Sequence, residues 1–415
     1  MCGLFYGHSV SVTTALDYLH RRGPENFNEV IIDKEHFGHT LLHTRGQNTQ
    51  QPAHNEHGYL LYNGSTYNSK HNDTKWLIQN LDNHLDNTIS IIKNLIGEYA
   101  LVYSTANHVV FCGDQWGTKN LWFYYSKENN HLLISSSKKL IENNIGSATL
   151  VKPNTIYIVN KKTFDLNFLK TTEWNLKQYV NNYDTVFEAF EQSVANRYEK
   201  DITTFTLSAG FDVGSINCCA SKLFKKIHTV AKVGREHAPT LDARLKLHNG
   251  IVEYEEDSQW QSNADDMLAE TATGYIKQKT ARAITGIIQN HMLPQNKKII
   301  IVGVGGDELY SDYNNTHEEG RFNKTNGLWP EDLQLVYPWH NYQNTNLRKQ
   351  TMRNDIICGY NSVEARFPML DQKLFQAWLN TKVTLKNKTY KDWMRQYMLD
   401  HNYPLYDDKK IGFTT

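Results

Sequence analysis

Two groups of residues in this chain have the types and spacing that do chemistry. The first opens the sequence as Met1-Cys2-Gly3. Removal of Met1 leaves the Cys2 thiol beside a free α-amine, whose ordinary pKa of about 8 leaves a neutral fraction at pH 7 to act as general base. The second is Thr206-Leu207-Ser208-Ala209-Gly210-Phe211-Asp212-Val213-Gly214-Ser215. Ser208 offers a hydroxyl donor, Gly210 lets the backbone approach a ligand, and Asp212 brings a charge that suits a cation such as Mg²⁺. Farther on, Gly303-Val304-Gly305-Gly306-Asp307-Glu308 places two adjacent acids in a glycine-rich turn. Two acids there suit a Mg²⁺ that bridges phosphates, so Asp307 pairs with Asp212 across one site. Neither loop is a Walker loop, which would need Gly-Lys-Ser/Thr, and neither is a dinucleotide fingerprint.

These residues need elements to hold them. Thr203–Leu207 alternates β-branched and apolar residues and reads as a buried strand, with Ile216–Leu223 as the helix after the loop. A strand, a small-residue turn and a helix start aim backbone N–H groups and the positive helix end at one point, where phosphate binds. Lys226–Ala231 reads as the next parallel strand and 239–247 as its helix. Lys297–Val302 is the clearest buried strand and delivers the acidic turn. Strands alternating with helices predict a doubly wound sheet with its ligand at the C-terminal strand ends. Earlier, 97–103, 109–114 and 121–125 read as short strands joined by tight turns, a sandwich of stacked sheets.

At 415 residues the chain has length for two domains. Forty-four basic residues balance 44 acidic ones, so charge gives no case for nucleic acid or an anionic membrane. No apolar run reaches membrane-spanning length, and the start lacks a signal-peptide pattern. Five cysteines without a CxxC pair predict a reduced, cytoplasmic protein.

The motifs together resemble those of the glutamine-hydrolysing asparagine synthetase family. Met1-Cys2-Gly3, Arg21-Arg22-Gly23-Pro24-Glu25 and Tyr62-Asn63-Gly64-Ser65-Thr66-Tyr67-Asn68 match its class II glutamine amidotransferase half in order. The Ser208 loop, the Gly303 turn, Glu364-Ala365-Arg366-Phe367-Pro368-Met369-Leu370-Asp371, the Lys391/Arg395 pair and Lys409-Lys410-Ile411-Gly412-Phe413 match its ATP-pyrophosphatase half. The resemblance implies a two-domain α/β protein. An N-terminal-nucleophile αββα sandwich over 1–165 is followed by a linker over 166–178 and a doubly wound parallel-sheet domain over 179–415. It implies Cys2 as nucleophile, Asn63 and Gly64 as oxyanion hole, and Arg45, Ser65 and Asp73 around the glutamine head group. ATP is expected at Leu207, Ser208, Gly210, Phe211, Asp212, Val230, Gly303, Val304 and Lys391, Mg²⁺ at Asp212 and Asp307, and Lys410 over the phosphates. The implied reaction adenylates a carboxylate and amidates it with ammonia from glutamine. The expected partners are small molecules (glutamine, ATP and a carboxylate), with no nucleic acid or membrane, and a homodimer is compatible.

Arg21, Ser65, Ala209 and Val213 depart from the family pattern. Val304 does too, standing where that family carries a glutamate facing the acceptor. Two alternatives therefore stand beside asparagine synthesis. One is an enzyme acting on another carboxylate, as β-lactam synthetases do, and the other is a glutaminase or regulatory protein with a decayed synthetase half.

Overall fold

The computed structural model describes residues 1–69, 72–232, 236–253, 259–272, 276, 278–311, 329–339, 341–342 and 346–406. The chain divides into two compact units. One comprises Met1–Glu173, Ser258–Lys277 and Thr351–Glu364, and the other Trp174–Asp257, Gln278–Gln350 and Ala365–Thr415.

The first unit is built on two six-stranded sheets. In one the strand order is Thr149–Leu150, Trp122–Ser126, His131–Ser135, Gly3–His8, Glu35–Leu41, Asn26–Ile32. In the other it is Leu166–Lys170, Thr155–Asn160, His108–Gly113, Gly97–Thr105, Gly58–Thr66, Ala53–His54. Neighbouring strands run antiparallel. Alternation along each strand explains the layering. Leu4, Tyr6, Phe37 and Ile134 of the first sheet meet Leu61, Val102 and Phe111 of the second in a central apolar core. The residues between them face outward: Phe5 and Leu133 pack under the helices Ala15–Leu19 and Lys138–Asn144. On the other side Leu60, Tyr62 and Leu101 pack under Asp73–Asn80 and Leu85–Lys93. The layers are therefore helix, sheet, sheet, helix.

A polar cluster sits inside this sandwich. Glu35 accepts hydrogen bonds from Tyr6, from Ser104 Oγ at 2.7 Å, and from Lys161 Nζ at 2.7 Å. Burial alone would raise the Glu35 carboxyl, but His8, Lys161 and Tyr6 together hold it down at about 2. A carboxylate depressed on folding stabilises above its unfolded pKa, near 4.5, and loses that contribution as pH falls toward 2. At 1.4 kcal/mol per unit this amounts to at most about 3 kcal/mol. Glu35→Gln should therefore lower urea-measured stability by about 2–3 kcal/mol at pH 7, and the deficit should close by about pH 2–3. An equal deficit at both ends of that range would mean that Glu35 contributes by packing alone.

The second unit carries a five-stranded sheet, ordered Ile251–Glu253, His228–Lys232, Thr203–Leu207, Ile299–Ile301, Glu364–Arg366. The pairings among the first four are parallel. From Thr203–Leu207 the chain first adds strands to one side and then crosses to the other. The switch point falls between Thr203–Leu207 and Ile299–Ile301, and parallel α/β sheets bind ligands at such a point. The Ser208 loop and the Gly303 turn leave these two strands. The helix expected over 239–247 runs Ala238–His248.

The expected linker over 166–178 begins too early. Leu166–Lys170 pairs along the whole strand Thr155–Asn160 as an edge strand, and the units divide between Glu173 and Trp174. With one neighbour only, this strand keeps Phe168 73% exposed, so its hydrophobic alternation is weak in the sequence. A single boundary also fails to describe the first unit, which includes Ser258–Lys277 and Thr351–Glu364.

Candidate active sites

Cys2 lies one residue before the strand Gly3–His8, and its side chain faces a cleft lined also by Leu42, Arg45, Gln51, Gly64 and Asp73. The strand Gly58–Thr66 lines the same cleft through Tyr62 and Gly64, and its residue order fixes what that lining can do. The Cys2 N–H donates to Asn63 Oδ1 at 2.8 Å. That contact assigns the amide: the oxygen accepts from Cys2, so the nitrogen points elsewhere. Asn63 is fully buried, and its Nδ2 has no hydrogen-bond partner among the described residues. A buried amide donor left unmatched costs about 1–3 kcal/mol, and it is the kind of group a developing oxyanion would satisfy. Gly64 follows at φ 130°, and a Cβ there would fall 1.9 Å from the Glu98 carbonyl oxygen. Only glycine fits this turn of the strand.

Arg45 lines the same cleft, with guanidinium N–H groups on the Thr66 carbonyl at 3.1 Å and the Ser69 carbonyl at 2.9 Å. Its plane lies over the Tyr67 ring. Asp73 is the first residue of its helix and accepts from the Thr74 N–H at 2.8 Å, while Asn72 caps the helix by accepting from the Lys75 N–H. The structure thus brings Cys2, Gly64, Arg45 and Asp73 to one cleft, with Asn63 buried behind it. Ser65 does not join them. It is not among the cleft's lining residues, and its hydroxyl is buried and donates to Glu364 Oε1 at 3.3 Å.

Several residues that sequence reading leaves unassigned hold this site. Arg22 is buried, donating from Nε to the Cys2 carbonyl at 3.2 Å and from Nη2 to Asp355 Oδ2 at 3.0 Å. It therefore positions the nucleophile's backbone. Arg21, the departure from the family pattern, turns instead to Asn263 Oδ1 at 3.1 Å and stacks on Tyr360. Glu364 lies 3.7 Å from the Met1 amine. Burial pushes that amine down to about 6 even though Glu364 and Cys2 oppose the shift. Burial also raises the Cys2 thiol. His39 is buried and pushed down to about 3, mainly by burial, so it is neutral and cannot act as an acid here. With Met1 attached, the Cys2 nitrogen is an amide, and no free amine stands at the thiol's own α-carbon. Met1 removal converts that nitrogen into the amine that the chemistry needs.

Asn63→Asp keeps the acceptor for the Cys2 nitrogen but exchanges the amide donor for a carboxylate oxygen. Glutamine hydrolysis should then lose at least about 10²-fold in kcat, the cost of one oxyanion donor. Glutamate release measured at saturating glutamine checks this, and an unchanged kcat would remove Asn63 from the oxyanion hole.

In the second unit the phosphate-type loop is braced from behind. Arg244, fully buried, donates from Nη1 to the Ser208 carbonyl at 2.6 Å and the Gly210 carbonyl at 2.9 Å. The Gly210 N–H meets Ser208 Oγ at 3.2 Å, and the Ala209 N–H meets Glu236 Oε2 at 2.6 Å. The helix Phe211–Leu223 follows, carrying Asp212 in its first turn. Phe211 packs edge-on against Tyr390.

Asp212 and Asp307 do converge. Lys391 Nζ contacts Asp212 Oδ1 and lies 2.6 Å from Asp307 Oδ1, and the Tyr390 hydroxyl donates to the same Asp307 oxygen at 2.6 Å. Gly306 makes this approach possible, because a Cβ there would fall 2.2 Å from Asp212 Oδ1. Burial alone would lower the Lys391 ammonium, yet the two carboxylates hold it at about 12. Among the described residues no three His, Cys, Asp or Glu side chains group as metal ligands. Two carboxylate oxygens around a cation nonetheless fit Mg²⁺, which takes one or two protein carboxylates and fills its shell with phosphate and water.

Glu308 is not part of this pair. It is buried, accepting from the Gly305 N–H at 3.0 Å and from Gln350 Nε2 at 3.0 Å, which makes it a helix cap. Gly303 and Val304 are half-buried at the turn. Leu207 and Val230 are buried in the sheet, and Val230 is wholly enclosed. Lys410 lies outside the described residues.

No family model matches the chain. An asparagine synthetase domain-containing protein of Saccharomyces cerevisiae is 21% identical over 426 aligned positions, which cover 86% of this chain and 78% of that protein. Asparagine synthetase domain-containing protein 1 of Mus musculus is 26% identical over 159 positions, covering 33% of this chain and 25% of its own length. Among solved structures, glutamine phosphoribosylpyrophosphate amidotransferase from B. subtilis aligns over 74% of this chain and 76% of its own, with 13% identity and a TM-score of 0.35. An allosteric regulatory enzyme of purine biosynthesis aligns over 50% and 60%, with 14% identity and a TM-score of 0.36. In sequence the chain is thus similar to asparagine synthetase domain-containing proteins.

Proposed function

We propose that the chain is a glutamine-dependent, ATP-consuming amidotransferase. Its first unit, an N-terminal-nucleophile glutaminase, releases ammonia at Cys2. Its second, an ATP-pyrophosphatase, adenylates a carboxylate that the ammonia then amidates. The observation that carries this reading is the buried, unmatched Nδ2 of Asn63 beside Cys2.

In the Met1-free chain the Cys2 thiol gives its proton to its own α-amine, and the sulfur attacks the glutamine side-chain carbonyl. The carbonyl oxygen takes the charge under Asn63 Nδ2 and the Gly64 N–H. The same proton passes to the leaving nitrogen, so ammonia departs and a γ-glutamyl thioester remains for water to hydrolyse. Arg45 and Asp73, which line the same cleft, bind the α-carboxylate and α-ammonium of glutamine by opposite charge. In the second unit Ser208, Gly210 and the loop amides hold the nucleotide phosphates, with Asp212 and Asp307 holding Mg²⁺. Mg²⁺, when bound, supplies charge neutralisation for the departing pyrophosphate.

Val304 bears on the acceptor. An apolar side chain at the turn takes no proton from attacking ammonia and makes no hydrogen bond to an amino-acid head group, which favours a carboxylate other than aspartate. The test is a mass-spectrometric product screen of the Met1-free protein with glutamine, Mg-ATP and a panel of carboxylic acids. An amide formed together with AMP supports the reading, and asparagine as the sole amide would assign aspartate as acceptor. Glutamate release without AMP for any acid would leave only the glutaminase half.

A further inference from the structure

The nucleotide site proposed for the second unit is already filled by the chain's own charges. Lys391 ammonium lies between Asp212 and Asp307, where a divalent cation would lie. Glu236 carboxylate sits on the Ala209 N–H at 2.6 Å, where a phosphate oxygen would lie. Lys391 reaches its place at a local cost. It stands at φ 51°, ψ 46°, left-handed backbone that a lysine rarely adopts, at the N-cap of the helix Asp392–Asp400. Its ammonium is buried, so neither acid loses its partner to solvent.

We infer that Lys391 and Glu236 act as built-in stand-ins for metal and phosphate, making cation binding conditional on the nucleotide. This rests on the reading of the second unit as a nucleotide site. A free divalent cation entering alone would have to drive a buried ammonium off two carboxylates and leave that ammonium without a counter-charge. The metal–triphosphate complex brings the missing counter-charge. Its phosphates displace Glu236 from the loop amide and accept Lys391, while its metal takes the two acids that Lys391 gives up. Lys391 and the two acids therefore each keep an opposite charge in the exchange, so the complex enters where the bare ion does not. The site then discriminates a metal-bound polyphosphate from the free ion, and the coupling is reciprocal.

The test measures binding rather than turnover. Mn²⁺ is titrated into the nucleotide-free chain and followed by electron paramagnetic resonance. The unmodified protein should leave the free-ion signal nearly intact. Lys391→Gln and Lys391→Ala should bind Mn²⁺ about 10- to 100-fold more tightly, and adding Asp307→Asn should abolish the gain. In parallel, equilibrium dialysis with radiolabelled pyrophosphate should show several-fold tighter retention by Glu236→Gln, a variant that leaves the carboxylate clamp untouched. Dialysis of the unmodified protein with Mg-ATP tests the underlying reading by itself. Tight Mn²⁺ binding by the unmodified chain, alone or at the affinity of the Lys391 variants, overturns the inference while ATP retention stands. Unchanged pyrophosphate retention by Glu236→Gln overturns its anionic half, and absence of Mg-ATP retention overturns the nucleotide reading.

Discussion

Replacing Cys2 by alanine in the Met1-free protein is expected to abolish glutamine-driven amide formation and leave the reaction running on added ammonium. The thiol is the only group in the cleft that forms the thioester in the proposed scheme, so its loss removes covalent catalysis altogether rather than slowing it. The phosphate-type residues Ser208, Asp212 and Asp307 belong to the other compact unit, so the ammonium-driven reaction should retain most of its rate. Both rates are read from one amide product by mass spectrometry. A folded variant that loses the ammonium reaction as well would refute the division of labour between the units. The same logic makes Met1 a switch. A chain that retains Met1, detectable as the extra mass of one methionine, should hydrolyse no glutamine, because the Cys2 nitrogen is then an amide bonded to Asn63.

Asp212→Asn and Asp307→Asn form the mirror experiment. Each removes one of the two carboxylates that surround Lys391 and, in the proposed enzyme, one anchor of Mg²⁺. Loss of a metal anchor costs several kcal/mol of transition-state stabilisation, on the order of 10³ in the rate of AMP and pyrophosphate formation. Glutamate release from glutamine should be unchanged. Near-normal pyrophosphate release by either variant would take that acid out of the metal site. The fold should be retained, since Lys391 keeps one carboxylate partner in each variant.

The parts of both sites that lie close together in sequence were legible there. The apolar strand Thr203–Leu207, the small-residue loop and the following helix are local consequences of residue type, and they form as the pattern predicts. Asp212 and Asp307 were paired because each follows a buried strand, and the parallel pairing of those strands brings the two turns side by side. The supports were not legible, because long-range folding creates them. Arg22 and Asp355 are 333 positions apart, and nothing in either neighbourhood marks the pair. Arg244 reads as an ordinary helix residue until its guanidinium is seen under the Ser208 loop. Glu364 and Arg366 look like a local ion pair by spacing. Instead Glu364 sits by the Met1 amine, while Arg366 donates to the Arg197 carbonyl at 3.0 Å. Ser65 shows the limit of matching by position. Its place in the motif implies a ligand contact, and the sequence does not show that its hydroxyl donates to a buried carboxylate 299 positions away.

The most direct measurement of the central claim is covalent labelling by an electrophilic glutamine analogue, followed by peptide mass spectrometry. All five cysteines are buried, so general thiol reactivity should be low and site-directed reactivity should stand out. The account predicts one adduct, on Cys2, formed only in the Met1-free chain, suppressed by glutamine and weakened in Asn63→Asp. Labelling spread over Cys112, Cys218, Cys219 or Cys358, or no adduct on a processed and folded Cys2, would contradict it.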